Sequence, residues 1–260
     1  MLSVQNVSYS INGRRLLHGV TTAFSPGQLS LIIGPNGAGK STFIKLLCRQ
    51  LPPLHGQILM DGKSLDEYSS RQLGIKRAVL SQSIEVNFPL KVWEVVMMGR
   101  YPHYQLKPSA KDNQAVEAAM RYFDVWDMAE RDFTTLSGGE KQRVHFARVL
   151  CQVWYAPKEG CRYLIMDEPL TFLDVYYQFQ FMHKIKDLLN NSDMVVIGVV
   201  HDLNLAARFA DKVILINSGT IVAQGKSSEV LTESNIQAAY QLKPVVMHDK
   251  ARDTVNLFFE

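Results

Sequence analysis

Leu29-Ser30-Leu31-Ile32-Ile33-Gly34-Pro35-Asn36-Gly37-Ala38-Gly39-Lys40-Ser41-Thr42 decides how the rest of the chain is read. The apolar run of Leu29, Leu31, Ile32 and Ile33 predicts a buried strand. It enters a glycine-rich turn, and Ser41-Thr42-Phe43-Ile44-Lys45-Leu46-Leu47 continues with helical spacing. Gly34-x-x-x-x-Gly39-Lys40-Ser41 in a strand–turn–helix setting is the phosphate-binding loop pattern. Its glycines let successive N–H groups curl inward onto phosphate oxygens. The helix N-terminus adds a partial positive charge. In this pattern Lys40 reaches the β- and γ-phosphates and the Ser41 hydroxyl ligates Mg²⁺. The candidate nucleotide-binding residues are therefore Gly34, Pro35, Asn36, Gly37, Ala38, Gly39, Lys40, Ser41 and Thr42.

A chain of 260 residues makes one large domain, or a core with a subdomain. At 47% hydrophobic and 20% charged residues it can bury a sizeable core. A net charge of +3 does not demand a nucleic-acid partner, and none is expected. No apolar run approaches the ~20 residues of a membrane span. Met1–Asn6 lacks the charged and apolar regions of a signal peptide. Cys48, Cys151 and Cys161 are odd in number and widely spaced, which fits neither a disulfide framework nor a zinc site. A reducing cytoplasm is the expected compartment.

Along the chain, Leu2–Ile11 alternates as an edge strand, with Arg14–Phe24 returning after the Asn12-Gly13 turn. Tyr9 is either a purine-stacking aromatic or a half-buried strand residue. The first helix is expected to run to about Leu51 and to stop at Pro52-Pro53. Gln82 follows the apolar run Ala78-Val79-Leu80 and reads either as a sensor of Mg²⁺ and water or as a solvated loop residue. A mainly helical block follows to about Val153. In it Gly99 ends a first helix, Tyr101–Tyr104 is a loop, and Asp112–Val125 is amphipathic. Leu136-Ser137-Gly138-Gly139-Glu140 precedes another helix and reads either as an anion-binding N-terminus or as a plain cap. Tyr163–Met166 is a buried strand ending in Asp167-Glu168, where an α/β sheet holds ligands. Asp167 is placed to hold Mg²⁺, and Glu168 to orient or deprotonate an attacking water. Met194–Val200 ends in His201, which either reaches a γ-phosphate or caps the next helix. A closing hairpin follows, then one helix over Glu229–Tyr240 and a mixed tail.

As a set, these pieces resemble the nucleotide-binding subunit of an ATP-binding cassette (ABC) transporter, in the family's order and over nearly the whole chain. Walker A is Gly34–Thr42, the Q-loop glutamine is Gln82, and the signature is Leu136, Ser137, Gly138, Gly139 and Glu140. Walker B is Tyr163–Glu168, the D-loop residue at the dimer seam is Asp174, and the switch histidine is His201. The D-loop departs from the usual Ser-Ala-Leu-Asp, reading Thr171-Phe172-Leu173-Asp174. The resemblance implies an α/β P-loop NTPase (RecA-like) core with an N-terminal antiparallel β subdomain and an inserted α-helical subdomain. It implies a single ABC domain over 1–260, with 87–159 as the helical signature subdomain and 1–86 and 160–260 as the rest. It also implies ATP with Mg²⁺ held by Ser41, Gln82 and Asp167, and catalysis by Glu168, His201 and Gln82. Tyr9 would be the adenine-stacking aromatic. Two copies would clamp ATP between Walker A of one and the signature of the other.

Glu94-Val95-Val96-Met97-Met98-Gly99-Arg100-Tyr101-Pro102-His103 is similar to the iron-siderophore, haem and vitamin B12 importers. The stretch from Leu150 to Tyr163 is similar to bacterial hemin-import ATPases, which carry extra residues there. The likeness implies a peripheral subunit on the cytoplasmic face of the bacterial inner membrane. Its partners would be two transmembrane permease subunits and, indirectly, a periplasmic haem-binding protein. A ferric-siderophore or cobalamin cargo is the alternative. The helical block that begins with Phe88, Trp93 and Met97 is expected to be the permease-docking face, these side chains reading either as exposed docking residues or, more readily, as core, and His103 and Tyr104 are not expected to ligate iron.

Overall fold

The computed structural model describes residues 1–81, 89–171, 173–190, 193–249 and 254–259. The chain opens with β1 (Leu2–Ile11), β2 (Arg14–Phe24), β3 (Leu29–Ile33), α1 (Lys40–Leu47), β4 (His55–Met60), β5 (Lys63–Ser64), α2 (Ser70–Lys76) and β6 (Arg77–Leu80). A helical block follows: α3 (Val92–Met97), a 3₁₀ segment (Met98–His103), α4 (Ala110–Tyr122) and α5 (Gly138–Gln152). Next come β7 (Arg162–Met166), α6 (Val175–Leu189), β8 (Met194–Val199), α7 (Leu203–Phe209), β9 (Lys212–Asn217) and β10 (Thr220–Gly225). The chain closes with α8 (Ser227–Val230), α9 (Glu233–Tyr240), β11 (Val245–Asp249) and β12 (Thr254–Phe258).

The main sheet has the order β10-β9-β3-β8-β7-β6, with every pair parallel except the β9–β10 hairpin. Every residue of β3, β7 and β8 is buried, as parallel strands covered on both faces require. The period of two sends alternate side chains to two cores. Leu31, Leu164 and Val196 pack with the helical block, whereas Ile32, Ile165 and Ile197 pack with Phe43 of α1 and the second sheet. That second sheet is antiparallel, in the order β2-β1-β4-β5. This is the α/β P-loop architecture the resemblance implies. Among the described residues, no helix is long and apolar enough to cross a membrane.

Several local expectations are corrected. Strand β1 is not an edge, because it pairs with β2 on one side and β4 on the other. Helix α1 stops at Leu47, before the prolines. Arg49 turns left-handed (φ 51°), Gln50 N closes that turn onto Lys45 O at 2.8 Å, and the Arg49 guanidinium is anchored on Leu65 O at 2.8 Å. Helix α3 does end just before Gly99, with Met98 as its cap, but the backbone continues as the 3₁₀ segment through His103, where a loop is expected. The final helix is two, because the Thr232 hydroxyl accepts from Asn235 N and starts α9 afresh. The tail is the antiparallel hairpin β11–β12, bonded to α7 through Asn204, whose side chain exchanges hydrogen bonds with Leu257 N and O. Of the three residues at the start of the helical block, Met97 is buried and Trp93 packs half-buried against the helical core, as the core reading expects, and Phe88 lies outside the described residues.

Candidate functional site

The C-terminal ends of β3, β8 and β7 lie side by side and lead into Gly34, His201 and Asp167 respectively. Close packing shapes the first. Gly34 leaves β3 at φ +152°, and a Cβ there would stand 2.1 Å from Ile216 O. At the other end of the loop, Gly39 has φ +105°, and a Cβ would meet Leu16 O at 2.8 Å. Strands β9 and β2 thus press on the loop from behind. Gly219 N donates to Ala38 O at 3.0 Å and pins its middle. Gly39 precedes α1 without any side chain bonding the helix's first N–H groups, which leaves donors for an anion. Lys40 is 6% exposed, and its Nζ donates to Gly34 O at 2.7 Å and Pro35 O at 3.0 Å. Burial lowers its pKa, against the pull of Glu168 and Asp167. Ser41 is exposed at the helix start and Thr42 half-buried behind it. Tyr9 is half-buried opposite Leu17, whose Cδ2 stands beside Gly39, so its ring is one side chain removed from the loop.

Asp167 N donates to Leu80 O at 2.9 Å and extends the β6–β7 ladder by one residue. Its Oδ1 is buried with no hydrogen-bond partner. Burial first, then the Glu168 charge, raises the Asp167 pKa, with Lys45, Lys40 and His201 opposing. An unsatisfied buried polar group costs about 1–3 kcal/mol, and a cation would relieve it. The donors fit Mg²⁺: a carboxylate oxygen in need of a partner and the Ser41 hydroxyl, both hard oxygen ligands. Gln82, the remaining expected ligand, lies outside the described residues. Replacing Asp167 by asparagine is therefore expected to raise the melting temperature of the nucleotide-free protein by a few degrees, about 1 kcal/mol. The same change should weaken Mg²⁺-dependent nucleotide binding. A lower melting temperature for Asp167→Asn would show that the carboxylate is favourably paired and refute this account.

Glu168 sits at φ +51°, a left-handed conformation unusual outside glycine. The Thr171 hydroxyl donates to Glu168 O at 3.0 Å and holds that turn. Glu168 Oε1 lies 2.7 Å from His201 Nε2, with the two side chains 16% and 50% exposed. Both face a cleft shared with Thr171, Gln178 and Asp202. His201 is not the cap of α7. Asp202 takes that role, its Oδ1 accepting from Asn204 N and Leu205 N at 2.8 and 3.0 Å. The imidazole is thus held over the acidic strand end.

Ser137 caps α5 through a reciprocal box: its hydroxyl accepts from Glu140 N, and Glu140 Oε2 accepts from Ser137 N at 2.8 Å. The Ser137 N–H and hydroxyl hold the Glu140 carboxyl below its ordinary pKa. The plain-cap reading is thus correct as far as it goes, but it leaves the glycines unexplained. Gly138 and Gly139 have no positive φ, and a Cβ at either would meet nothing within 4 Å. Leu136 is core. Asp174 caps α6, accepting from Tyr177 N at 3.0 Å, and Phe172 lies outside the described residues. Gln142, which sequence reasoning missed, donates from Nε2 to Pro169 O at 2.9 Å and ties α5 to the turn after Glu168. Among the described residues, no hydrogen bond or ion pair joins Leu136–Glu140 to Gly34–Thr42.

The family described as ABC transporter matches residues 17–171. A hemin import ATP-binding protein, HmuV, of Escherichia coli O157:H7 is 39% identical over 251 residues, covering 96% of each chain. The protein of the same name from Gloeobacter violaceus is 40% identical over 247 residues, 95% of this chain and 90% of that one. Among solved structures, one described as an inward-facing conformation of a metal-chelate type ABC transporter superposes with a TM-score of 0.82. It shares 25% identity and covers 100% of this chain and 96% of that chain. A dimeric bacterial ABC transporter cassette has the same fold, with a TM-score of 0.74 at 23% identity over 87% of this chain and 99% of its own.

Proposed function

The chain belongs to the ABC transporter family, and from that premise we propose that it is the ATP-binding and hydrolysing subunit of a bacterial hemin importer. The observation that carries the two-copy part of the reading is the pair Gly138 and Gly139, glycines that no atom of their own chain requires. A second copy, facing the first head to tail, would bring its ATP against them. The Ser137 hydroxyl and the α5 N-terminus would then supply the donors that Gly34–Thr42 lacks on its open side. Residues 87–159 serve as the helical signature subdomain in this scheme.

Within one copy, Lys40 exchanges the Gly34 and Pro35 carbonyls for β- and γ-phosphate oxygens, and the free N–H groups at Gly39–Thr42 take further phosphate contacts. Glu168 orients the attacking water and receives its proton. His201 holds the Glu168 carboxylate in place and would contact the γ-phosphate. Ser41 and Asp167, with Gln82, hold Mg²⁺, which neutralises phosphate charge when bound. Tyr9 stacks the adenine, and Asp174 lies at the seam between copies. The subunit binds peripherally to two permease subunits on the cytoplasmic face of the inner membrane, and a periplasmic haem-binding protein delivers the cargo.

Hemin itself should not bind this subunit tightly. His103 Nε2 is taken up at 2.7 Å from Gln152 O, and burial pushes the Cys48 and Cys151 thiols up to about 12. Titration of the isolated chain with hemin is expected to show no stoichiometric high-affinity complex, and such a complex would overturn the proposed division of labour. The cargo is tested by reconstituting the chain with its co-purified permease and binding protein in proteoliposomes. Hemin should stimulate ATP hydrolysis, whereas stimulation by a ferric siderophore or by cobalamin instead would replace hemin as cargo.

A further inference from the structure

The stretch Gly99–His103 takes no part in the nucleotide site, yet four of its five residues turn inward. A Cβ on Gly99 would stand 2.0 Å from Arg148 O and 2.7 Å from Cys151 Sγ, so the segment lies directly on the last turns of α5. Arg100 is 3% exposed. Its Nε and Nη2 hold one oxygen of Asp112 at 3.0 and 2.9 Å, and its Nη1 donates to Cys151 O at 2.7 Å and Gln152 O at 3.3 Å. The other Asp112 oxygen accepts from Ser109 N at 2.9 Å and Ser109 Oγ at 2.6 Å. His103 Nε2 lies 2.7 Å from the same Gln152 O. Pro102 packs against Gly74, where a Cβ would be 2.9 Å from its Cγ. Gln152 closes the joint, donating from Nε2 to Gly74 O at 2.7 Å and Arg77 O at 2.9 Å.

The last carbonyls of α5, of which Cys151 O also accepts from Trp154 N at 3.4 Å, are thus held by a buried cation and an imidazole. The same helix begins at Ser137, Gly138 and Gly139. We propose that Arg100 and His103 are positioning residues for hydrolysis: by fixing the C-terminal end of α5 they aim its N-terminal Ser137-Gly138-Gly139 at the ATP of the facing copy. This rests on the two-copy reading above. A 15-residue helix is roughly 22 Å long, so a pivot of about 3° at Gln152 moves Ser137 by about 1 Å. A displacement of that size in a catalytic constellation is worth up to ~100-fold in rate.

Arg100→Lys keeps the charge but loses the planar fork that spans Asp112 and two carbonyls at once. His103→Ala removes one contact and leaves the buried ion pair intact, which keeps the test open if Arg100→Lys folds poorly. Each is expected to lower kcat for ATP hydrolysis about 10- to 100-fold. Each should leave the Kd of the single chain for ATP, read with a fluorescent ATP analogue, within about twofold, because Walker A is untouched. Added to Glu168→Gln, each should weaken the ATP-driven dimer seen by light scattering. Tyr101→Ala, at an outward residue of the same segment, should change none of these. Unchanged kcat in both variants overturns the proposal, as does a fall in kcat matched by an equal loss of single-chain ATP affinity. A Glu168→Gln dimer that survives both additions overturns this proposal alone. A Glu168→Gln parent that forms no dimer with ATP overturns the two-copy reading and this proposal with it.

Discussion

Glu168→Gln is expected to bind ATP normally and to hydrolyse it about 10³-fold more slowly, accumulating as an ATP-bound dimer. The amide keeps the shape and length of the carboxylate and changes the backbone preference little, so the left-handed turn at φ +51° and the Thr171 bond to Glu168 O should persist. The Oε1 oxygen remains as an acceptor facing His201 Nε2, now 2.7 Å away, so the imidazole keeps its place. What disappears is the ability to take a proton from water as it attacks, worth about 10²–10⁴ in rate. Walker A is untouched, because Lys40 and the α1 N-terminus are held by loop carbonyls and backbone rather than by Glu168. Single-turnover hydrolysis and size-exclusion chromatography with Mg²⁺-ATP measure the two halves of the claim. Near-normal turnover would remove Glu168 as the base. Slow turnover without a dimer would remove the second copy.

The two strongest local signals in the sequence, Leu29–Thr42 and Tyr163–Glu168, are also where the expected strands, turn and helix are found. Each is legible within a dozen residues as strand burial, a turn and a charged terminus, even though the close packing at Gly34 comes from the distant Ile216. The errors have the opposite character. That β1 is an interior strand depends on Gln57, Ile58, Leu59 and Met60, more than fifty residues later. That α1 stops at Leu47 rests on a left-handed turn at Arg49, a residue whose side chain is anchored on the distant carbonyls of Leu65 and Tyr68. Gly99 shows a second, hidden cause most plainly. A glycine after an apolar helical run reads as a terminator, and α3 does stop there, but the absence of a side chain is demanded by Arg148 O, about fifty positions downstream. Gln142 was missed for the same reason, since its partner Pro169 follows the acidic pair and no periodicity connects them. For His201, the sequence leaves a capping role and a ligand role equally open, and Asp202 fills the first.

Gly139→Ala is expected to make the protein more stable and nearly inactive. Gly139 lies in the first turn of α5, where an alanine is favoured over glycine by at most about 0.5–1 kcal/mol, and the added methyl meets nothing within 4 Å. Thermal unfolding of the nucleotide-free chain should therefore shift upward by a few degrees, with its affinity for ATP unchanged. Hydrolysis should nevertheless fall by about 10² or more, because the methyl would stand where the facing copy's phosphates must approach the helix N-terminus. Gly34→Ala provides the contrast. There a methyl would be 2.1 Å from Ile216 O at φ +152°, so stability and ATP affinity should fall together with turnover. The two substitutions insert the same methyl beside the same ligand class and should move the melting temperature in opposite directions. That difference separates a glycine demanded by its own chain from one demanded only by another. If Gly139→Ala hydrolyses ATP at the parental rate, nothing outside the chain approaches Gly139, and the cradle would have to be complete within one copy.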